Sequence, residues 1–173
     1  MLETSQTGFL EKCDIQMNLT RLFDNIYQNR MKKGKNRKAM WLLFVDFKSA
    51  YDKVDRSILY EELKKKKILE TDEIKMSKFI HQRMEVGLGK SSCQTEVGVP
   101  QGSTISPLLF NIFLDSLLKT THSNKTSSFN QFGFADDLLF TSFYQEDIRV
   151  TIDEVENWCK NSGMQLNKKN QQL

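Results

Sequence analysis

Two adjacent acids, Asp136 and Asp137, stand inside the apolar segment FGFADDLLF and are the first residues in this chain that could do chemistry. Neighbouring carboxylates repel each other and resist burial, so something must offset their charge when apolar strands flank them. A divalent cation is the natural candidate, because Mg²⁺ prefers carboxylate oxygens. The alternative is an ordinary solvated turn, since Asp is a common turn residue. The pattern predicts a strand, a two-residue turn at the acids, and a second strand.

A third acid, Asp46, follows an apolar and aromatic run that extends from Trp41 to Val45. Such a run bounded by charge predicts a buried strand with Asp46 at its far end. Sites on open sheets tend to form at strand ends. Two strands that each end in Asp could therefore converge on one metal cluster, and two Mg²⁺ ions about 4 Å apart are the usual device for phosphoryl transfer.

The segment VGVPQGSTISPLLFNIFLDSLL predicts a short strand, a loop containing glycine and a buried helix. Gly98 and Gly102 permit backbone conformations that other residues avoid. Ser106 as N-cap and Pro107 in the first turn predict where the helix begins. Apolar residues then cover most of the circumference of this helix, which indicates that protein surrounds it.

Hydrophobic periodicity and breaker residues predict the other elements. Helices are expected near residues 14–30, 56–66, 72–86 and 146–160, strands near 40–46, 95–99 and 164–166, and a polar surface loop over 120–130. From the strand at 40–46 onward, this order of elements suits an α+β fold with helices on one face of an antiparallel sheet.

The three motifs LFVDFKSAYD, GVPQGSTISPLLFN and FADD, in this order, resemble the palm of reverse transcriptases. The similarity is greatest to the non-LTR retrotransposon (LINE-like) branch, and the early segment QTGFLEKCDIQMNLTRL is similar to the entry segment of that branch. The resemblance runs from about Gln6 to about Lys169. One xADDx string would be a weak signal, whereas the three motifs together are specific.

The resemblance implies the palm of a right-hand polymerase over about residues 40–173, with a fingers-side entry segment over about residues 1–39. It also implies that the thumb is absent, and that an endonuclease usually carried by such elements is absent too. We therefore expect a fragment of a larger polyprotein or a truncated reading frame.

The implied activity is RNA-directed DNA polymerisation, in which dNTPs are added to a DNA primer 3′-hydroxyl on an RNA template. Asp46 and Asp136 would hold two Mg²⁺ ions, for which Mn²⁺ is a possible substitute, and Asp137 would be a partial ligand or an electrostatic support. One ion lowers the pKa of the primer hydroxyl, and the other neutralises charge on the leaving pyrophosphate.

The resemblance also implies a nucleotide site. Tyr51 would lie under the sugar and exclude a 2′-hydroxyl, because a bulky ring leaves neither room nor a partner for that group. Gln101 and Gly102 belong to the loop that touches the templating base pair and the nucleotide. The triphosphate would meet backbone N–H groups of Phe47, Lys48 and Ser49. Alternatively, Tyr51 is an ordinary core residue and Gln101 an ordinary loop side chain.

The last segment departs from the family pattern. GMQLN ends at Asn167 as expected, but position 170 is Asn where the family usually has Lys. That Lys is a general acid for the leaving pyrophosphate in the implied mechanism. Either Lys169 takes this role with a shift of one residue, or the role is lost.

The composition limits the class of protein. The net charge of +3 permits a nucleic-acid partner without demanding one. The basic runs at residues 32–38 and 64–67 either contact phosphates or are solvated surface. Three widely spaced cysteines, without a CxxC, argue against a zinc site and favour a reducing compartment. Neither a membrane span nor a signal peptide is recognisable, so we expect an intracellular protein, nuclear or cytoplasmic.

Two alternatives remain open. One is a group II intron-type reverse transcriptase, which the strings PQGS and LLFN disfavour. The other is a truncated, inactive copy that only binds nucleic acid, which the expected absence of a thumb and the residue Asn170 support.

Overall fold

The computed structural model of the chain describes residues 3–9, 13–32, 38–68, 85–88, 91–94, 97–123 and 125–167. Its elements are α1 (Ile15–Met31), β1 (Trp41–Val45), a 3₁₀ turn (Tyr51–Lys53), α2 (Arg56–Lys65), β2 (Glu85–Leu88), β3 (Ser91–Gln94), α3 (Ser106–His122), β4 (Asn130–Phe134), β5 (Asp137–Ser142) and α4 (Gln145–Ser162). The predicted α+β class is therefore confirmed. None of the described helices is long and apolar enough to cross a membrane.

The central sheet is small and antiparallel, with the strand order β1-β5-β4. Its register pairs Val45 with Leu138, and Phe134 with Asp137. The strands β2 and β3 form a separate hairpin. Gln6 adds a single parallel bridge to Gly133 on β4, so the entry segment extends the sheet at this edge.

Alternation along β1 divides the sheet into two faces. Leu43 and Val45 are buried, whereas the residues between and before them are exposed. The buried face packs against α3, which is apolar on nearly all sides, as the sequence predicted. Phe110 and Phe113 of α3 are fully buried, and each such side chain stabilises the fold by about 1.5–3 kcal/mol. The helices α2 and α4 contribute the rest of this core.

Helix α1 lies against the opposite face of the sheet. Its residues Ile15, Leu19 and Leu22 line a cleft of about 480 Å³ together with Phe44 and Leu139 of the sheet. The expectation of helices on one face concerned the elements from β1 onward and fits α2, α3 and α4, whereas α1, in the segment expected on the fingers side, lies on the other face. Periodicity identifies an apolar stripe on a helix, but it does not identify the face of the sheet that receives this stripe.

Local hydrogen bonds and one glycine explain where the helices begin and end. Asp14 caps α1 by accepting a hydrogen bond from the Met17 N–H, and Asp55 caps α2 in the same way. Gly163, with φ +73°, ends α4, as the Asn-Ser-Gly pattern predicted. Ser106 is not an N-cap, because α3 begins at this residue and its hydroxyl donates to the Pro100 carbonyl at 2.6 Å.

Three predicted elements need correction. The helix expected over 72–86 is wrong at its end, because residues 85 and 86 belong to β2, and its other residues lie outside the described ones. The strand expected over 95–99 is absent at residues 97–99, while 95 and 96 lie outside the described residues. The loop expected from residue 120 begins later, because α3 continues to His122.

Candidate active site

The acidic hairpin forms between β4 and β5, but its turn is displaced by one residue from the predicted position. Phe134 pairs with Asp137, so Ala135 and Asp136 form the two-residue turn and Asp137 is the first residue of β5. Ala135 adopts φ +57°, in the left-handed region that residues other than glycine rarely occupy. The bend separates the directions of the two acidic side chains.

Asp46 lies next to this hairpin. The last pair of the β1–β5 register joins Val45 to Leu138. Because the strands are antiparallel, the next position along this register brings Asp46, after Val45, beside Asp137, before Leu138. Partial burial raises the pKa of Asp137, and the negative charges of Asp136 and Asp46 raise it further. The structure thus brings together the three acids that the sequence singled out.

A segment near the end of the described chain holds Asp46 in place. The Asn167 N–H donates to the Asp46 carbonyl at 2.9 Å, and the Asn167 side-chain amide donates to Oδ2 of Asp46 at 3.0 Å. Next to these contacts, the Lys48 N–H donates to the Gln165 carbonyl at 2.8 Å. The strand expected at 164–166 is therefore reduced to one bridge between Phe47 and Leu166.

A cleft of about 480 Å³ opens beside the acids. Its lining includes Asp136 and most of the predicted nucleotide-site residues, namely Phe47, Ser49, Tyr51, Gln101 and Gly102. Lys48 is exposed and does not line this cleft. The cleft is large enough for a small polar ligand, and its residues come from the two motifs that precede the acidic hairpin in the sequence.

Tyr51 forms a rigid wall of this cleft. Its ring stacks on Phe110 of α3, with ring centroids 4.9 Å apart and an interplanar angle of 24°. Burial raises the pKa of the Tyr51 hydroxyl, and the charge of Asp136 raises it further. The phenol is therefore neutral at physiological pH, and its position is fixed by the helix beneath it.

The loop before α3 is fixed by backbone hydrogen bonds. The Gly98 N–H donates to the Val54 carbonyl at 2.8 Å, and the Arg56 side chain donates to the Gly98 carbonyl at 2.8 Å. Gly98 has φ +89°, and a Cβ atom there would lie 2.9 Å from the Asp52 carbonyl oxygen. This position therefore requires glycine. Beyond it, the Gln101 side-chain amide donates to Oδ1 of Asp52 at 3.0 Å, in an exposed contact.

The carboxylate oxygens of the three acids are the kind of ligand that a divalent cation prefers, but the acids are not spaced to enclose an ion by themselves. Among the described residues, no three His, Cys, Asp or Glu side chains are grouped closely enough to hold a metal ion by themselves. Mg²⁺ commonly takes only one or two carboxylates and completes its shell with water and substrate phosphates. The three coupled carboxylates beside an open cleft fit an ion of that kind, shared between the chain and a phosphate ligand.

Several buried or half-buried amide side chains near the site were given no role from the sequence. Gln6 and Asn18 contact the backbone of the β4–β5 hairpin, Asn111 contacts the entry segment, and Asn167 contacts Asp46. The available signal was a polar residue within an otherwise apolar helix, which Asn111 supplies in LLFNIF. Lys169 and Asn170 lie outside the described residues.

Comparisons with known proteins agree with this fold. A family profile described as "Reverse transcriptase (RNA-dependent DNA polymerase)" matches residues 1–173. The chain belongs to this family. Its fold is also similar to the telomerase of Candida tropicalis, with a TM-score of 0.74 and 15% identity over 97% of this chain and 30% of that one. The Candida albicans telomerase gives a TM-score of 0.68 at 12% identity over 97% of this chain and 30% of that one.

Curated relatives indicate to which branch of the family the chain is most similar. The chain is 25% identical over 96% of its length to the Pol polyprotein of the type-1 retrotransposable element R2 of Nasonia vitripennis, and it covers 17% of that protein. It is 28% identical over 79% of its length to the corresponding polyprotein of Popillia japonica and covers 21% of it. The chain therefore spans about a fifth or less of the length of these relatives, which are R2 non-LTR retrotransposon polyproteins.

Proposed function

We propose that this chain carries the nucleotide-adding site of an RNA-directed DNA polymerase from a non-LTR retroelement. One observation carries the proposal: Asp136 lines the cleft whose wall is the stacked ring of Tyr51, and Asp46 and Asp136 are both close enough to Asp137 to raise its pKa, although Asp46 and Asp137 themselves line the neighbouring cleft under α1. The proposed substrates are dNTPs, and the proposed partners are an RNA template, a DNA primer and the remainder of a larger polyprotein.

In the proposed reaction, Asp46 and Asp136 hold Mg²⁺, or Mn²⁺ in its place, and Asp137 supplements their charge. The bound ions lower the pKa of the primer 3′-hydroxyl and neutralise the triphosphate. Backbone N–H groups of Phe47 and Ser49 face the triphosphate at the cleft, where Ser49 adopts φ +51°, whereas the Lys48 N–H, which donates to the Gln165 carbonyl, does not take the part expected from the sequence. Tyr51 lies under the sugar, and Gln101 contacts the base pair.

The proposed domain organisation follows the same similarity. Residues from about 40 to 173 form the palm, and residues from about 1 to 39 form an entry segment on the fingers side. The contacts of the entry segment with β4 and of α1 with the second face of the sheet support this division. We further propose that the protein acts inside the cell, in the nucleus or the cytoplasm, where its proposed template RNA is found.

Primer extension tests this function. On poly(rA)/oligo(dT) with Mg²⁺, the chain should add dTTP and reject UTP. Asp136→Asn keeps the shape of the side chain but removes its charge, and it should lower the extension rate by about 100-fold or more. Asp153→Asn, which removes an exposed acid on α4, is the matched control and should behave as the unchanged chain.

Two results would contradict the proposal. The first is equal extension by the chain and its Asp136→Asn variant, since the acid would then have no role. The second is a folded chain that binds primer–template and extends nothing, which would favour the alternative of an inactive nucleic-acid-binding piece. Circular dichroism and fluorescence anisotropy establish folding and binding in the same samples.

A further inference from the structure

Residues 5–8, within the entry segment, run along the free edge of β4. The Gly133 N–H donates to the Ser5 carbonyl and the Thr7 N–H donates to the Gly133 carbonyl, both at 2.9 Å. The Asn18 side-chain amide also donates to the Gly133 carbonyl, at 3.0 Å. The segment is thus fixed to the strand that leads directly into the acidic turn.

From this edge, the side chain of Gln6 reaches the turn itself. Its Nε2 donates to the Ala135 carbonyl at 3.0 Å, and its Oε1 accepts from the Ala135 N–H at 3.1 Å. The same Oε1 accepts from the Gly8 N–H at 3.0 Å. Gln6 is 3% exposed, so these hydrogen bonds are shielded from water. One side chain therefore satisfies both backbone polar groups of the residue immediately before Asp136.

Ala135 is a residue that needs such support. Its φ of +57° is expensive for a residue with a Cβ atom, and two-residue hairpin turns usually place glycine, asparagine or aspartate at such positions. A strained conformation of this kind persists only where surrounding contacts impose it. Gly8 completes the support, because a Cβ atom on Gly8 would lie 2.4 Å from the Ala135 nitrogen. Gly8 is in turn held by α3, because the Asn111 side-chain amide donates to the Gly8 carbonyl at 2.7 Å.

We propose that Gln6 is a positioning residue for the acidic hairpin. It fixes the strained backbone of Ala135 and so determines the directions in which Asp136 and Asp137 leave the turn. The structural part of this inference stands alone, whereas its consequence for nucleotide addition rests on the function proposed above.

Gln6→Met tests the structural part, because methionine keeps the length of the side chain and removes its hydrogen bonds. The matched control is Gln131→Met on β4. Gln131 is 6% exposed and also has three hydrogen bonds, to Ser5, Leu118 and Thr121. Hydrogen exchange of the Ala135 amide, followed by NMR, should become about tenfold faster in Gln6→Met. It should change less than about twofold in Gln131→Met, although both variants lose similar stability in urea.

Steady-state primer extension tests the catalytic part. Gln6→Met should lower kcat by about tenfold or more with little change in the KM for primer–template, because the acids are displaced while the binding surface remains. Gln131→Met should retain kcat. If Gln6→Met does not fold, Gln6→Asn replaces it, since the amide stays polar and uncharged but is one methylene too short to keep both hydrogen bonds to Ala135.

The outcomes separate the two proposals. Ala135 exchange that is unchanged in Gln6→Met, or equally changed in Gln131→Met, would overturn the positioning role. So would a kcat reduced equally by the two variants. If the unchanged chain extends no primer, the proposed function fails, and the exchange of the Ala135 amide still decides whether Gln6 positions the hairpin.

Discussion

Tyr51 is the residue through which the proposed nucleotide site would select its sugar. Its ring lies flat against Phe110, so it cannot move aside for a larger ligand without losing a buried aromatic contact. Rejection of an additional hydroxyl by a rigid ring depends on the volume of the ring and not on its phenol group. This distinction leads to a prediction at the scale of the residue.

Tyr51→Ala should weaken the preference of the chain for dTTP over UTP by about tenfold or more, because the space for a 2′-hydroxyl is then open. Tyr51→Phe is the control: it keeps the ring and should keep the preference. Competitive primer extension with both nucleotides measures the ratio of kcat/KM values. An unchanged ratio in Tyr51→Ala would show that this ring does not choose the sugar.

Cys13 and Cys159 should differ in reactivity. Burial raises the pKa of the Cys159 thiol to about 11, with a smaller contribution from Glu156, so only about one thiol in a thousand is ionised at pH 8. Cys13 is only partly buried. Iodoacetamide at pH 8 should therefore modify Cys13 in the folded chain and Cys159 only after unfolding in urea. Mass spectrometry of the peptides measures this, and equal labelling of Cys159 in both states would contradict the packing of α4.

At the scale of the elements, the segment after α4 contributes to the position of Asp46 in addition to strand β1. The segment at 165–167 fixes Asp46 through hydrogen bonds to its backbone and to its side chain. Strand β1 alone would leave Asp46 at a free end. The direction of this carboxylate therefore depends on a segment that follows the last helix.

Asn167→Ala should lower kcat for primer extension by about tenfold, because Asp46 loses a hydrogen bond that directs its carboxylate. Asn167→Asp should lower kcat further, since a second carboxylate would then face Asp46. Asn157→Ala, on the exposed side of α4, is the control. Extension at the native rate by both Asn167 variants would show that this contact has no role in orienting Asp46.

The sequence predicted the elements that local patterns determine. The apolar run before Asp46 indicated β1, and the period of apolar residues indicated α1, α3 and α4. It placed the turn one residue too late, because the choice of Ala135 over Asp137 depends on hydrogen bonds from Gln6, 129 residues away. The role of Asn167 depends likewise on a contact across 121 residues. Such pairings are not visible in any local window.

At the scale of the whole molecule, one ionic cluster connects the entry segment, α2 and α3. Asp115 is 1% exposed and accepts hydrogen bonds from Lys66, Lys119 and the Glu3 N–H. Burial acts to raise the pKa of Asp115, but these donors outweigh burial and hold the pKa below its usual range. A charge compensated in this way makes the fold sensitive to acid.

The stability of the chain should therefore fall with pH in an acidic window. Because the pKa of Asp115 is lower in the folded than in the unfolded chain, its contribution is complete above about pH 5 and is lost as the pH falls through the folded value. Asp115→Asn should cost about 3 kcal/mol at pH 7 and reduce the acid dependence. Urea unfolding between pH 3 and 7 measures both, with Asp153→Asn as control. An equal pH dependence in the two variants would exclude Asp115 as the cause.

The hydrogen bonds of Gln6 and Asn167 also have a consequence for the order in which parts of the chain fold. Each acid-bearing strand is completed by a partner more than a hundred positions away, one near the beginning of the described chain and one near its end. Contacts across such long loops form late, because closing a long loop lowers the entropy of the chain and becomes favourable only after local structure has formed. During synthesis, the emerging polypeptide would hold its acids in unfixed directions until residue 167 has left the ribosome.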